Sequence, residues 1–251
     1  MTDDRENLEA FVARTRETRA GDPNHRAYVG PPQQYDFMGA TQFRLMTALG
    51  MREDHRLLDI GCGSLRAGKL FIQYLLPDRY FGIEPNGWLI EDAKRLEIGA
   101  DIFAIKRPRF DGNDAMRFDV FGETFDYVVA QSIFSHTGAD VFGKALAAAQ
   151  AVLAPRGQFL FTVHYRGNEA GMSARGWFYP KCVRFSDSEV RDLCRSAGLH
   201  VQPLAWFHPR QRWFRAVADP AMLLDRAQIA ALGEGRVLFD DRFSGQDRDG
   251  R

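Results

Sequence analysis

LLDIGCGSLRAG, residues 57–68, is the stretch whose reading decides the fold of this chain. Together with Arg56 it opens as a short apolar strand, RLLDI, that ends on an acid, Asp59, and runs at once into Gly61 and Gly63. Glycine lets the backbone turn sharply there, and the absence of a Cβ leaves the main chain open to a ligand. The apolar spacing that follows, from Leu65 to Leu76, predicts a helix beginning at Ser64 or Leu65 and stopped by Pro77. The free N–H groups and positive dipole end of such a helix favour a carboxylate or phosphate.

Outward from this unit, strands and helices alternate. Residues 80–84 (YFGIE) read as a second strand closing on Glu84, and residues 88–98 as a helix. A weaker third strand lies near Phe110 within residues 102–114. Residues 125–131 (FDYVVAQ) are a clear strand, 140–153 an Ala-rich helix, and 158–164 (QFLFTVH) another strand. Ser186 and Glu189 form a capping-box signature before a helix that stops at Gly198. Residues 199–207 and 212–218 flank the short HPRQ link as an antiparallel hairpin, and 221–234 suit one more helix. Upstream, residues 1–20 suit an amphipathic helix, 21–35 (GDPNHRAYVGPPQQY) a loop, and 38–49 a helix stopped by Gly50. The polar tail from Ser244 reads as disordered. Alternating β and α segments imply a mostly parallel sheet covered by helices on both faces, with ligands outside the C-terminal strand ends. The expected organisation is an N-terminal helical cap (1–54), a catalytic α/β domain (55–218) and a C-terminal extension (219–251).

Composition narrows the partners. The chain has 251 residues, and its 33 Lys and Arg balance 33 Asp and Glu. A zero net charge gives no long-range attraction to nucleic acid or anionic membrane. The KRPR run at 106–109 reads as a solvated face. No apolar run approaches the ~20 residues that span a bilayer, and the acidic N-terminus, MTDD, is unlike a secretory signal. Cys62, Cys182 and Cys194 are scattered and odd in number, which predicts neither a disulfide framework nor a metal site, and a cytoplasmic setting.

Glu84 stands about 20 residues beyond the glycine turn, where an acid binds ribose hydroxyls in nucleotide-binding sheets. A dinucleotide would prefer a third glycine where this chain has Arg66, and Asp59 would repel a pyrophosphate. The same carboxylate suits an ammonium, so an adenosyl group with an amino acid tail fits better. That describes S-adenosylmethionine.

LLDIGCGSLRAG, the acid in FGIEPN and the terminal hairpin resemble the class I S-adenosylmethionine-dependent methyltransferases over residues 55–218. More narrowly, YVGPPQQYDFMGATQF (28–43) with AQSIFSHT (130–137) is similar to a group of bacterial methyltransferases. The resemblance implies a Rossmann-like, seven-stranded, mostly parallel sheet with a C-terminal antiparallel hairpin. It also implies roles for matched positions. Asp59, Gly61 and Gly63 would hold the methionine part and Glu84 both ribose hydroxyls. Asn113 and Asp114 would meet the adenine amino group, and Gln131 and Ser132 would lie beside the cofactor. Pro108 interrupts the third strand and departs from the pattern, and an Asx-turn is the alternative reading of 113–114. Arg66 would grip the carboxylate or stand exposed on its helix.

A hydroxyl acceptor must lose a proton as the methyl arrives, and histidine suits that step. His136, after the fourth strand, is the preferred general base, and His164, ending the fifth, is the second candidate. The alternative roles are capping the next helix for His136 and a structural hydrogen bond for His164. No Asn-Pro-Pro-Tyr segment follows the fourth strand, which disfavours methylation of nucleic-acid bases. No carboxylate pairing of the catechol type follows the fourth or fifth strand, so no catalytic metal is expected. The acceptor pocket should draw on residues 28–35, on the region after His164 and on WFYPKCVR (177–184). Residues 167–176 suit a mobile lid or a passive loop. The expected activity is O-methylation of a small-molecule or glycan hydroxyl. The alternatives are N-methylation of a metabolite or peptide, a non-catalytic S-adenosylmethionine-binding module, and, most remotely, an NAD-dependent dehydrogenase.

Overall fold

Strand β1 (Leu57–Ile60) is buried along its whole length, and its side chains divide between two cores. Leu58 and Ile60 enter one apolar layer and Leu57 the other, as the two-residue period of a strand dictates. The same alternation in β4 (Phe125–Ala130) sends Val128 and Ala130 to the first layer and Tyr127 and Val129 to the second. A sheet covered on both faces is the arrangement expected of parallel strands.

The structure, a computed structural model, describes residues 18–167 and 169–239. Its main sheet has seven strands. β1 pairs in parallel with β2 (Tyr80–Ile83) on one side and β4 on the other. β3 (Arg109–Asp111) lies beyond β2, and β5 (Leu153–Val163) beyond β4. The sheet closes with β9 (Arg212–Val217), antiparallel to β5, and β8 (His200–Pro203) at the edge, which is the expected hairpin. The order β3-β2-β1-β4-β5-β9-β8 reverses direction between β1 and β4. A crevice at their C-terminal ends is therefore the place for a ligand.

Several expectations are corrected. The helix after β1, α3 (Gly68–Tyr74), starts later than Ser64 or Leu65. Gly61, Gly63 and Leu65 all have positive φ, which breaks the regular helical backbone until after Leu65. Residues 88–98 divide into α4 (Gly87–Ala93) and a π-type turn, Lys94–Ile98. The span given to a weak third strand begins inside α5 (Ala100–Lys106), and Pro108 immediately precedes β3. Residues 21–35, read as a loop, hold a one-turn helix α1 (His25–Tyr28), capped by the Asn24 side chain, and a 3-10 turn Pro32–Gln34. Residues 167–176 carry β6 (Glu169–Ala170), paired with β7 (Val183–Arg184). The Ala139 N–H also ties this segment to α6 (Ala139–Val152) by donating to the Gly171 carbonyl. After α7 (Asp187–Ser196) and β9, the last helix is α8 (Arg226–Gly233), shorter than residues 221–234. The readings of residues 1–17 and of the tail lie outside the described residues. Among the described residues no helix is long and apolar enough to cross a membrane.

The N-terminal segment is clamped to the loop after β1 and to the turn after α4. Glu97, in the π-type turn, receives hydrogen bonds from His25 (2.8 Å), Arg26 (2.5 and 2.8 Å) and Lys69 (3.0 Å). Burial alone would raise its pKa, but these donors carry it down to about 2. Tyr35 begins α2 (Tyr35–Ala48) between the Arg26 and Lys69 cations, and its hydroxyl donates to the Ser64 carbonyl at 2.6 Å. Four residues on, Gly39 meets the same loop: a Cβ there would lie 2.3 Å from the Arg66 carbonyl oxygen.

Gly39→Val is accordingly expected to lose ~1–3 kcal/mol through overpacking against backbone. Gly143→Ala, in α6 with open space around it, is expected to gain ~0.5–1 kcal/mol. Urea midpoints of the two variants check both signs, and equal midpoints would refute the close approach of α2 to the loop.

Candidate active site

A cavity of about 690 Å³ opens at the C-terminal ends of β1 and β4, within the range of small-molecule sites. All ten residues singled out in the sequence line it: Asp59, Gly61, Gly63, Glu84, Asn113, Asp114, Gln131, Ser132, His136 and His164. They come from the ends of five strands, and the topology alone brings them together.

Asp59 points its carboxylate into the second core layer's edge and is 5% exposed. Its partner is the Tyr80 hydroxyl, which donates to Oδ2 at 2.8 Å. Burial pushes the Asp59 carboxyl up to about 7; the Tyr80 bond and Arg66 oppose this, and Glu84 adds to it. The glycine turn packs tightly beside it. A Cβ on Gly61 would lie 2.1 Å from Ile133 Cδ1, and one on Gly63 would lie 2.7 Å from Val29 Cγ1. Glu84 holds this turn: its Oε2 accepts the Gly63 N–H (3.1 Å), and its Oε1 accepts both the backbone N–H and the side-chain amide of Asn86 (2.9 and 2.8 Å). A carboxylate has about four acceptor sites, so Glu84 keeps capacity for about one more donor.

Asn113 is occupied by the loop itself. Its amide nitrogen donates to Asp111 and its oxygen accepts the Arg117 N–H at 3.0 Å. The Asx-turn here is made by Asp111, whose Oδ1 accepts the Asn113 N–H at 2.9 Å, and Asp114 is exposed on the cavity wall. Gln131 is buried, and neither its amide nitrogen nor its oxygen has a partner among the described residues. An unmet buried polar group costs ~1–3 kcal/mol, which a ligand carrying both a donor and an acceptor would relieve. Ser132 has positive φ, donates its N–H to Thr162 Oγ1 (2.8 Å) and accepts from Gln211 Nε2 (3.0 Å). Arg66 lines the cavity and donates from Nη1 to the Val29 carbonyl (3.0 Å).

The histidines differ in what their Nδ1 atoms meet. His136 Nδ1 faces the Lys181 carbonyl at 2.8 Å. A carbonyl only accepts, so this nitrogen carries the proton and Nε2 keeps its lone pair. His164 Nδ1 instead accepts the Arg166 N–H at 3.0 Å, so its neutral ring carries the proton on Nε2. Burial lowers the pKa of both rings; Arg210 lowers both further, while the Lys181 bond partly restores that of His136.

Sequence reasoning missed Tyr80, Asn86, His208 and Arg210. The last two belong to the HPRQ link, read as a plain connection. The signal was present in the hairpin: because β9 runs antiparallel to β5, its first residue, Arg212, pairs with Val163 at the end of β5. The link before β9 must then sit at the ligand-binding edge of the sheet.

A family model described as a methyltransferase domain matches residues 11–204. No curated protein matches the sequence. Among solved structures, the magnesium protoporphyrin IX methyltransferase of Synechocystis with bound S-adenosylmethionine is 14% identical. It covers 80% of this chain and 88% of its own, with a TM-score of 0.53. DesVI of Streptomyces venezuelae is 17% identical over 76% of this chain and 95% of its own, with a TM-score of 0.55. The sugar N-methyltransferase KedS8 of Streptoalloteichus is 17% identical over 72% and 87%, with a TM-score of 0.53.

The raised pKa of Asp59 makes stability depend on pH. Unfolded, the carboxyl ionises near 3.8; folded, it holds its proton to about 7. The protein without ligand should therefore lose stability as pH rises from about 4 to about 7, with no further loss from this group above that window. Asp59→Asn should flatten the slope and be more stable than the parent at pH 8 by ~2–4 kcal/mol. Urea unfolding of both proteins at pH 5 and pH 8 is the check; identical pH slopes would remove Asp59 as the cause.

Proposed function

The chain belongs to the methyltransferase-domain family, among the class I S-adenosylmethionine-dependent enzymes, and from that premise we propose that it methylates a hydroxyl of a small-molecule or glycan acceptor with His136 as general base. One observation carries the reading. A single cavity joins a buried carboxylate that lacks a full ion-pair partner to a neutral histidine with an unshared lone pair.

The residues present fit the cofactor. Asp59 supplies a desolvated anion for the ammonium of the amino acid tail, and Arg66 a cation for its carboxylate. Glu84, with its remaining acceptor site, suits a ribose hydroxyl. The unpartnered amide of Gln131 and the exposed carboxylate of Asp114 suit the nucleoside. The Cβ-free turn at Gly61 and Gly63 is already closed over by Ile133 and Val29, so larger residues would fill the space beside Asp59. When bound, S-adenosylmethionine supplies an electrophilic methyl on a sulfonium.

The chain's own part is alignment and proton removal. Holding the acceptor oxygen in line with the methyl contributes up to ~7–11 kcal/mol. His136 Nε2 accepts the hydroxyl proton while the Lys181 carbonyl keeps Nδ1–H fixed and stabilises the imidazolium that results. Proton balance is simple: the acceptor gains a methyl, loses its proton to His136, and solvent later takes that proton. His164, with Nδ1 occupied by an N–H, presents a donor and suits orientation of the acceptor better than proton removal. Tyr179, edge-on to the His136 ring at 5.1 Å, and Trp177 line the entrance and limit water around the base.

The pKa of His136 lies below the usual 6.5, so the base is neutral at pH 7 and its protonation appears only in acid. For methyl transfer to a hydroxylated acceptor pool, kcat/KM should fall as pH drops through that lowered value. His136→Asn should reduce kcat ~100–10,000-fold and abolish the acid limb while leaving S-adenosylhomocysteine affinity intact. Full turnover in that variant would end the general-base assignment. Calorimetry with S-adenosylhomocysteine and NAD tests the cofactor, and binding of NAD alone would overturn the reading as a whole.

A further inference from the structure

The cavity is charged unevenly. Its three acids are Asp59, Glu84 and Asp114, all on loops assigned above to the cofactor. With Arg66 assigned above to the cofactor carboxylate, the lining on the His136 side is cationic or donor-bearing at His164, His208 and Arg210. Arg210 lies near enough to act electrostatically on Arg66 and on all three histidines, and no carboxylate offsets it at any of these rings. The Arg210 guanidinium stands exposed at the mouth and forms no ion pair among the described residues.

Hydrogen bonding points the same way. His208 Nδ1 accepts the N–H groups of Arg210 (3.2 Å) and Gln211 (2.9 Å). Like His164, its neutral ring therefore carries the proton on Nε2. Burial, with Arg66 and Arg210, pushes the pKa of His208 down to about 4, so the ring stays neutral and acts as a donor at pH 7. Apart from His136 Nε2, the histidine and arginine groups here are all donors. The adjoining segment, residues 164–184, adds Arg166, Arg175, Lys181 and Arg184 against a single acid, Glu169. In a chain whose total charges balance, this is a local excess. The cofactor's one anion, its carboxylate, is matched by Arg66 on the reading above, and its ammonium and sulfonium leave it a net cation with nothing to match Arg210.

We propose that the methyl acceptor is an anion whose carboxylate or phosphate group rests on Arg210 and the Nε2–H donors of His164 and His208, while its hydroxyl meets His136. This rests on the methyl-transfer reading and names the acceptor class for the same site. A planar or tetrahedral oxyanion suits the guanidinium fork and two ring donors, and charge-assisted bonds of this kind are the strong ones. Such an acceptor would also keep the desolvated sulfonium from facing only positive charge.

The test uses full-length protein saturated with S-adenosylhomocysteine, titrated with benzoate, phenyl phosphate or neutral benzyl alcohol. At least one anion should bind ten times more tightly than the alcohol. Arg210→Gln should weaken that anion about tenfold or more, and Arg210→Lys should restore part of the loss. The tighter of the two anions identifies the group. Anions binding no better than the alcohol, or equally well to Arg210→Gln, would overturn the proposal. So would displacement of the anion by S-adenosylhomocysteine, which would assign the cations to the cofactor. Failure of S-adenosylhomocysteine itself to bind would instead strike the methyl-transfer reading, and the thermal transition of each variant reports its folding.

Discussion

A carboxylate removed from water without a full counter-charge is the constraint on which this structure turns. Removing such an ion from water costs several kcal/mol even after relaxation. Asp59 carries that cost near the C-terminal end of a fully buried strand, relieved by one hydroxyl from Tyr80 and by Arg66 at a distance. The neighbouring chain adds strain at Leu65, a side chain held in left-handed backbone just after Gly61 and Gly63, which adopt it freely. Nothing in sheet packing demands either feature, because an apolar residue at 59 would suit the second core layer better. Both would become favourable with the proposed cationic tail held there, since a ligand that binds only the folded state adds its binding energy to stability.

The cap segment makes this arrangement rigid. Val29 closes over Gly63, Arg66 bonds back to the Val29 carbonyl, and Tyr35 bonds to Ser64. The Glu97 carboxylate adds to these contacts by collecting three cationic or ring donors from α1 and α3 at one partly buried point. Its depressed pKa keeps it charged through any physiological pH, so the clamp does not loosen with protonation. The residues that line the cavity from 28 to 34 thus belong to the site as firmly as the strand ends do.

How much of this was legible follows from how local each signal is. The first strand, its glycine turn and the acid at Glu84 are local patterns, so the sheet and the residues that line the cavity at its strand ends could be read directly. The helix start was misread because apolar spacing continues backward through Leu65, whereas the positive φ of that residue comes from the packed turn around it. The helix α1 was hidden by flanking glycine and prolines, and only the Asn24 cap marks it. Tyr80 reads as one more strand aromatic, and its bond to Asp59 exists only because β1 and β2 pair in register. His208 and Arg210 depend on a hairpin folding back along β5, a long-range fact that no window of sequence contains.

The three cavity histidines show how the backbone assigns chemistry to identical side chains. Each ring is buried enough to remain neutral near pH 7, so none differs from the others in charge. What differs is the partner of Nδ1. A carbonyl at Lys181 places the His136 proton on Nδ1 and frees a lone pair on Nε2. Amide N–H groups at Arg166, and at Arg210 and Gln211, do the reverse for His164 and His208. The carbonyl partner comes from the segment before β7, and the N–H partners lie two or three residues beyond their own rings. A base therefore arises only where a distant segment delivers an oxygen, while donors arise from local turns. That difference explains why one proton acceptor stands among several donors, the arrangement that the proposed proton removal at one end of an acceptor and grip at the other both require.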